Sequence, residues 1–170
     1  DVGDSTSVVT TPIQMTGLSG IVSISQGGLH SLAIEDDGTL WTWGSNQFGQ
    51  LGYTANTIYI VVPLRVTSVS GILGADGGWA ESLVIKNDHT VWGWGRNNYG
   101  QLGNGTTAPQ LSPVQAIGMT NVVSLAAGEY HTLALKSDGT VWAWGLNISG
   151  ELGDGSAISI RATPVRVSGM

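Results

Sequence analysis

At 170 residues with 41% hydrophobic side chains, the chain has enough apolar content for a core, and no apolar run reaches the roughly 18 residues of a membrane helix. A formal net charge of −6 with only six Lys and Arg excludes the basic stripe that nucleic acid requires, and the absence of cysteine excludes disulfides and thiolate chemistry. The 26 glycines, about twice the usual share, recur at fixed places and therefore read as tight turns rather than disorder.

Taken in chain order, residues 1–20 read as the tail of a repeat. Gly3-Asp4-Ser5-Thr6 matches Gly103-Asn104-Gly105-Thr106 and Gly153-Asp154-Gly155-Ser156. Thr11-Pro12-Ile13-Gln14 matches Ser112-Pro113-Val114-Gln115 and Thr163-Pro164-Val165-Arg166, with Val62-Pro63-Leu64-Arg65 between them. Proline lacks a ladder donor, so these segments predict edge strands that open at their prolines. Pro12 to Thr16 is then a lone outer strand.

The next segment of each unit, Ile21 to Gly28, Ile72 to Gly78 and Val122 to Gly128, alternates as a strand with both faces small or apolar, and predicts an innermost strand. A third alternating run follows in His30 to Glu35, Glu81 to Lys86 and His131 to Lys136. Asp37-Gly38 and Asp138-Gly139 then predict hairpins, glycine supplying the positive φ of the turn. The middle copy reads Asp88-His89, so His89 must take an unfavourable φ or another turn type, and is expected to be solvated. The last strand carries Trp41-Thr42-Trp43-Gly44, Trp92-Gly93-Trp94-Gly95 or Trp142-Ala143-Trp144-Gly145, and runs on to Gly-Gln-Leu-Gly at 49–52 and 100–103 and to Gly-Glu-Leu-Gly at 150–153. The first tryptophans stand at 41, 92 and 142, a spacing of 51 and then 50 residues, which marks a repeat architecture. Both tryptophans of a pair share one sheet face, where each would bury of order 150–250 Å² against a neighbouring sheet.

Four-stranded antiparallel units at this period predict an all-β fold of β-propeller blades, about 21–70, 71–120 and 121–170, after the tail at 1–20. The runs Ala126 to Leu135, Asp138 to Gly145 and Gly150 to Gly153 resemble the regulator of chromosome condensation repeat, in three full copies and one partial. The resemblance, to bacterial-type repeats, implies rings of seven blades. Three blades do not close a ring, so two apolar faces are left open. The favoured reading is a segment of a larger propeller; the other is assembly of several copies, for which 13 strands do not divide evenly into three blades.

His30 and His131 share one repeat position, replaced by Glu81 in the middle copy, and are expected to be buried and satisfied by the backbone rather than metal ligands. Trp79 departs from its counterparts Gly28 and Glu129, so packing does not demand it. The stretch Gly78-Trp79-Ala80-Glu81-Ser82 resembles the Gly-Trp-Arg-His-Thr motif of the family's plant ultraviolet-B photoreceptors, but Ala80 and Glu81 stand where the Arg and His would be, which disfavours a light sensor. Exposed tryptophan suits a protein-contact anchor instead. No paired-carboxylate set, calcium loop, Ser/His/Asp set or phosphate loop stands out.

Strand order places the long loops Ser45 to Val62, Arg96 to Ser112 and Leu146 to Thr163 on one face with the connections at Leu29, Trp79 to Ala80 and Glu129 to Tyr130. Long loops on a rigid scaffold carry function, and the predicted contact surface comprises Leu29, Tyr59, Trp79, Tyr99, Glu129 and Tyr130. The chain therefore reads as a non-enzymatic protein-interaction module without cofactor, metal, nucleic acid or membrane span, its partners being another protein or further blades. Low Lys with abundant Gly, Ser and Thr suggests a secreted or cell-surface protein, and the start at Asp1 a mature form or a window of a longer chain. The alternatives are a self-assembling surface component, a GTPase exchange factor as the family resemblance allows, and a lyase or hydrolase working in the channel. The exchange factor is disfavoured by the lack of a basic tail or nuclear-targeting run.

Overall fold

The hairpins form where the Asp-containing turns predict them. In each turn an aspartate holds the amide two residues on: Thr39 N–H donates to Asp37 Oδ1 at 2.8 Å, Thr90 to Asp88 at 3.0 Å and Thr140 to Asp138 at 2.9 Å. Gly38 and Gly139 take φ of 79° and 82°, and His89 takes 59° at the matching place. His89 is exposed, with Nδ1 3.1 Å from the Val122 carbonyl. A non-glycine residue in this region costs roughly 1–2 kcal/mol, part of it returned by that contact. His89→Gly is therefore expected to raise stability by about 0.5–1 kcal/mol in urea unfolding; a loss would mean that the Val122 contact outweighs the strain.

The computed structural model describes residues 10–53 and 57–169. Its strands are β1 (Ile21–Gln26), β2 (His30–Glu35), β3 (Leu40–Ser45), β4 (Tyr59–Arg65), β5 (Ile72–Gly77), β6 (Glu81–Lys86), β7 (Val91–Gly95), β8 (Gln110–Gln115), β9 (Val122–Ala127), β10 (His131–Lys136), β11 (Val141–Leu146) and β12 (Ile160–Arg166). They form three four-stranded antiparallel sheets, β1 to β4, β5 to β8 and β9 to β12, each in sequence order and without a closed ring. This is a partial propeller.

Two expectations need correction. The prolines do not open the outer strands: β4, β8 and β12 begin before Pro63, Pro113 and Pro164. Each proline lies in an edge strand beside a break in register, between Thr42 and Gly44, Gly93 and Gly95, or Ala143 and Gly145, where a missing amide costs no ladder bond. Nor is Pro12 to Thr16 a strand, so twelve strands rather than 13 are present among the described residues. An outer strand pairs with the Trp-bearing strand that precedes it, and the described residues include no such strand ahead of Pro12. Met15 and Leu18 instead line a hollow on the open side of the first sheet, with Ile21, Ile24 and Trp43. The Gly3-to-Thr6 correspondence lies outside the described residues.

The core sits between sheets. Leu32, Ile34, Leu40 and Val66 of the first unit meet Ile72, Val84 and Trp94 of the second. Leu83, Ile85, Val91, Leu102, Ala116 and Met119 of the second meet Val122, Ala134 and Trp144 of the third. A polar lock repeats at both joints. The Gln50 carbonyl accepts from the Trp94 indole at 2.9 Å and the Ser82 hydroxyl at 2.7 Å. The Gln101 carbonyl accepts from the Trp144 indole at 2.7 Å and the Thr132 hydroxyl at 2.9 Å. Trp43, whose outer side no described sheet covers, stays half-buried, and Val22 and Ile24 are exposed.

The long loops are pinned from within. Asn46, Asn97 and Asn147 are buried, and each accepts from the amide of the Leu five residues on: Leu51 at 3.1 Å, Leu102 at 2.9 Å and Leu152 at 3.0 Å. Asn97 also donates to the Thr106 and Ala108 carbonyls. Loops so tied present their side chains from a fixed frame.

Candidate functional site

The loop face is set by backbone bonds from the strand carrying the tryptophans to the inner connection: Ser45 N–H to Leu29 O, Arg96 N–H to Ala80 O and Leu146 N–H to Tyr130 O, all 2.8–2.9 Å. On this face, side chains from all three units converge. The Trp79 ring lies 6.0 Å from Phe48 and 6.4 Å from Tyr130, and Tyr130 lies 4.9 Å from Tyr99, all tilted. At the centre stands the Arg96 guanidinium, 4.8 Å from the Trp79 centroid, 5.0 Å from Tyr130, 5.5 Å from Phe48 and 5.9 Å from Tyr99. Each such contact is favourable electrostatically.

The cluster is built from positions at which the units differ. Arg96 stands where the other units carry Ser45 and Leu146, Trp79 where they carry Gly28 and Glu129, and Tyr130 where they carry Leu29 and Ala80. Phe48 and Tyr99 share one repeat position with Ser149. The packing of a repeat array recurs from unit to unit, and these positions do not recur.

Of the six residues expected on the contact surface, Trp79, Tyr99 and Tyr130 come together, and Glu129 stands exposed beside them, hydrogen bonding that raises the Tyr130 phenol above its usual value. Leu29 and Tyr59 do not join the cluster; both are exposed and line a separate hollow at the open edge of the first unit, with His30, Trp43 and Ile60. Phe48 and Arg96 were not among the expected residues. The signal for Arg96 was present, since an arginine replaces serine and leucine directly after the Trp-x-Trp-Gly motif.

Beneath the cluster lies Glu81, fully buried, its Oε2 accepting from the Ala80 amide at 3.2 Å. Its side chain folds back over Gly78, where any Cβ would stand 2.0 Å from Oε1. Burial pushes the Glu81 carboxyl up to about 8, against the pull of the Ala80 amide, Gln101 and Arg96. Burial drives His30 the other way, down to about 4. His30 was expected to be satisfied by the backbone; instead its Nε2 lies 3.0 Å from the Ser82 hydroxyl, which itself donates to the Gln50 carbonyl. The ring therefore donates from Nε2, the hydroxyl's proton being committed elsewhere. Among the described residues no group of three or more His, Asp or Glu side chains is placed to hold a metal ion.

Comparison with known proteins accounts for this frame. The Regulator of chromosome condensation (RCC1) repeat matches residues 37–85, 88–135 and 138–170. The chain is 32% identical over 115 residues to the Ultraviolet-B receptor UVR8 of Arabidopsis thaliana, covering 66% of the chain and 26% of that protein. It is 39% identical over 103 residues to the human probable E3 ubiquitin-protein ligase HERC3, covering 59% of the chain and 10% of that protein. It superposes on Prp20p of Saccharomyces cerevisiae with a TM-score of 0.79 at 23% identity, covering 91% of the chain and 40% of that protein, a likeness of fold. It thus spans well under half the length of each. Secretion or cell-surface placement is corrected by these relatives, because the HERC ligase and Prp20, the latter also solved with Kap60, are intracellular. The Gly, Ser and Thr that suggested export serve the turns and inter-sheet locks instead. The chain belongs to the RCC1-repeat family, whose propeller is a scaffold for protein binding.

Proposed function

From that membership, we propose that the chain is a non-enzymatic protein-interaction segment of an RCC1-type propeller, built of units 21–70, 71–120 and 121–170. Its contact surface is the long-loop face centred on Trp79, Arg96, Tyr99 and Tyr130, flanked by Glu129 and, further out, Leu29 and Tyr59. The observation that carries this reading is the convergence of non-repeating residues from three units on one spot. Trp, Tyr and Arg are also the residues on which binding energy concentrates at protein interfaces. Further blades, from the same or another chain, cover the open sheet faces.

The test is photo-crosslinking from a benzoyl-phenylalanine placed at Tyr130, and for comparison at Ser137 on the face of the Asp-containing turns. Adducts with a defined protein from position 130 and not from 137 are expected. Trp79→Ala should weaken them by about thirtyfold or more, as for a hot spot of 2 kcal/mol, with the fold intact. Equal adducts from both faces, or adducts indifferent to Trp79, would remove the loop face as the contact surface.

A second reading, contact with a small GTPase, is favoured by the likeness to Prp20p, whose solved structure is described with its binding to Gsp1p and histones. Faster release of a fluorescent guanine nucleotide from Gsp1p in the presence of the chain would support it, and an unchanged rate would set it aside.

A further inference from the structure

Arg96 is held among aromatic rings. Among the described residues no carboxylate stands in ion-pair contact with it, and its buried Nε makes no hydrogen bond. Other cations are placed differently: Lys86 lies over Trp92 and Lys136 over Trp142, near the turns at the opposite end, while Arg161 is paired with Asp154 at 2.9 Å. A guanidinium offers five donors in a planar fork that matches a carboxylate. Here the rings of Phe48, Trp79, Tyr99 and Tyr130 fix its plane and strip part of its water, so little freedom is lost on pairing. The same rings already enclose one cation, which leaves no place for a second. Glu81 below does not neutralise Arg96, since burial keeps that carboxyl largely protonated at neutral pH.

We propose that the Arg96 cluster is an acid-recognition site, which takes an Asp or Glu side chain on an exposed loop of a partner protein against the Arg96 fork and the Trp79 and Tyr130 rings. Charge complementarity at the site selects this occupant: Arg96 is a positive point set in a wall of aromatic rings and makes no ion pair among the described residues. The exposed Glu129 beside it favours an acid flanked by a donor, such as a free amide, over a run of acids. This inference rests on the loop face being the contact surface and adds the chemistry of the group received.

The test uses two capped peptides, acetyl-Gly-Phe-Glu-Gly-amide and its Gln twin, titrated into the full chain while the Arg96 Nε–H and Trp79 indole resonances are followed. The Glu peptide is expected to shift both and to bind at least about tenfold tighter than the Gln peptide. Arg96→Gln should abolish the difference, and Arg96→Lys should restore part of it, with circular dichroism confirming that each variant is folded. Equal binding of the two peptides, or shifts confined to other residues or absent, would overturn acid recognition. If the adduct from position 130 survives Arg96→Gln at full yield, the contact face stands and only the acid-recognition proposal fails. If light scattering shows a dimer broken by Glu129→Gln, a second copy occupies the cluster and the proposal falls in this form.

Discussion

Trp94→Ala is expected to cost about 3–5 kcal/mol in urea unfolding. The indole is fully buried, packs among Leu32, Ile34, Leu40 and Val66 of the preceding unit, and donates to the Gln50 carbonyl at 2.9 Å. Removing it leaves a cavity between two sheets and takes one donor from a carbonyl that keeps only Ser82. Trp144→Ala, which breaks the matching bond to Gln101, should cost a similar amount. Trp43→Ala should cost clearly less, because that ring is half-buried on the open side of the first unit. If all three changes cost the same, the joints between units do not carry the stability of the array.

Glu81→Gln is expected to change the shape of the pH–stability curve. The Glu81 carboxyl rises from 4.5 to about 8 on folding, so the folded state prefers the proton. Its contribution is complete below pH 4.5 and is lost as pH rises towards 8, at about 1.4 kcal/mol per pH unit. His30 falls from 6.5 to about 4, so the folded state prefers the neutral ring, and stability is lost as pH falls through that window. The two slopes oppose each other between pH 4.5 and 6.5, where the curve should be flat. From 6.5 to 8 Glu81 titrates alone, and stability should fall by about 2 kcal/mol. The glutamine variant should instead gain stability up to pH 6.5 and then hold level to pH 8. Asp37, Asp88, Asp138 and Asp154, all held below the usual carboxylate value by Thr or Ser hydrogen bonds, act below this window, since their contributions are lost only as pH falls beneath 3.8. A fall from pH 6.5 to 8 that persists in Glu81→Gln would show that another group is responsible.

Much of the fold was legible because each unit repeats its own instructions. The alternating inner strand, the Asp-containing turn and the Trp pair recur, and three copies of a weak local signal make a strong one. The turn at His89 shows the limit: the unfavourable φ was foreseeable, whereas the Val122 carbonyl that helps to hold it is supplied by the next unit. Trp79 was legible as a departure from Gly28 and Glu129. Its neighbours were not, because Phe48, Arg96 and Tyr130 come from three units, and which of them meet depends on the rotation from sheet to sheet. Leu29 and Tyr59 share the loop face with the cluster in sequence terms, yet the first unit turns them to its open edge. The Pro12 segment carries the composition of an outer strand and fails to form one, since a strand needs a partner that local sequence does not supply.

The central claim is that the Arg96 cluster serves contact and not the joints between units. The most direct test gives the cluster the side chains that neighbouring units carry, with alanine in place of the tryptophan: Trp79→Ala, Arg96→Ser and Tyr130→Leu in one chain, unfolded in urea beside Trp94→Ala. A loss of no more than about 2 kcal/mol for the triple change, well short of the cost of Trp94→Ala, is the predicted result. A loss as large as that of Trp94→Ala would make the cluster part of the packing and contradict the claim.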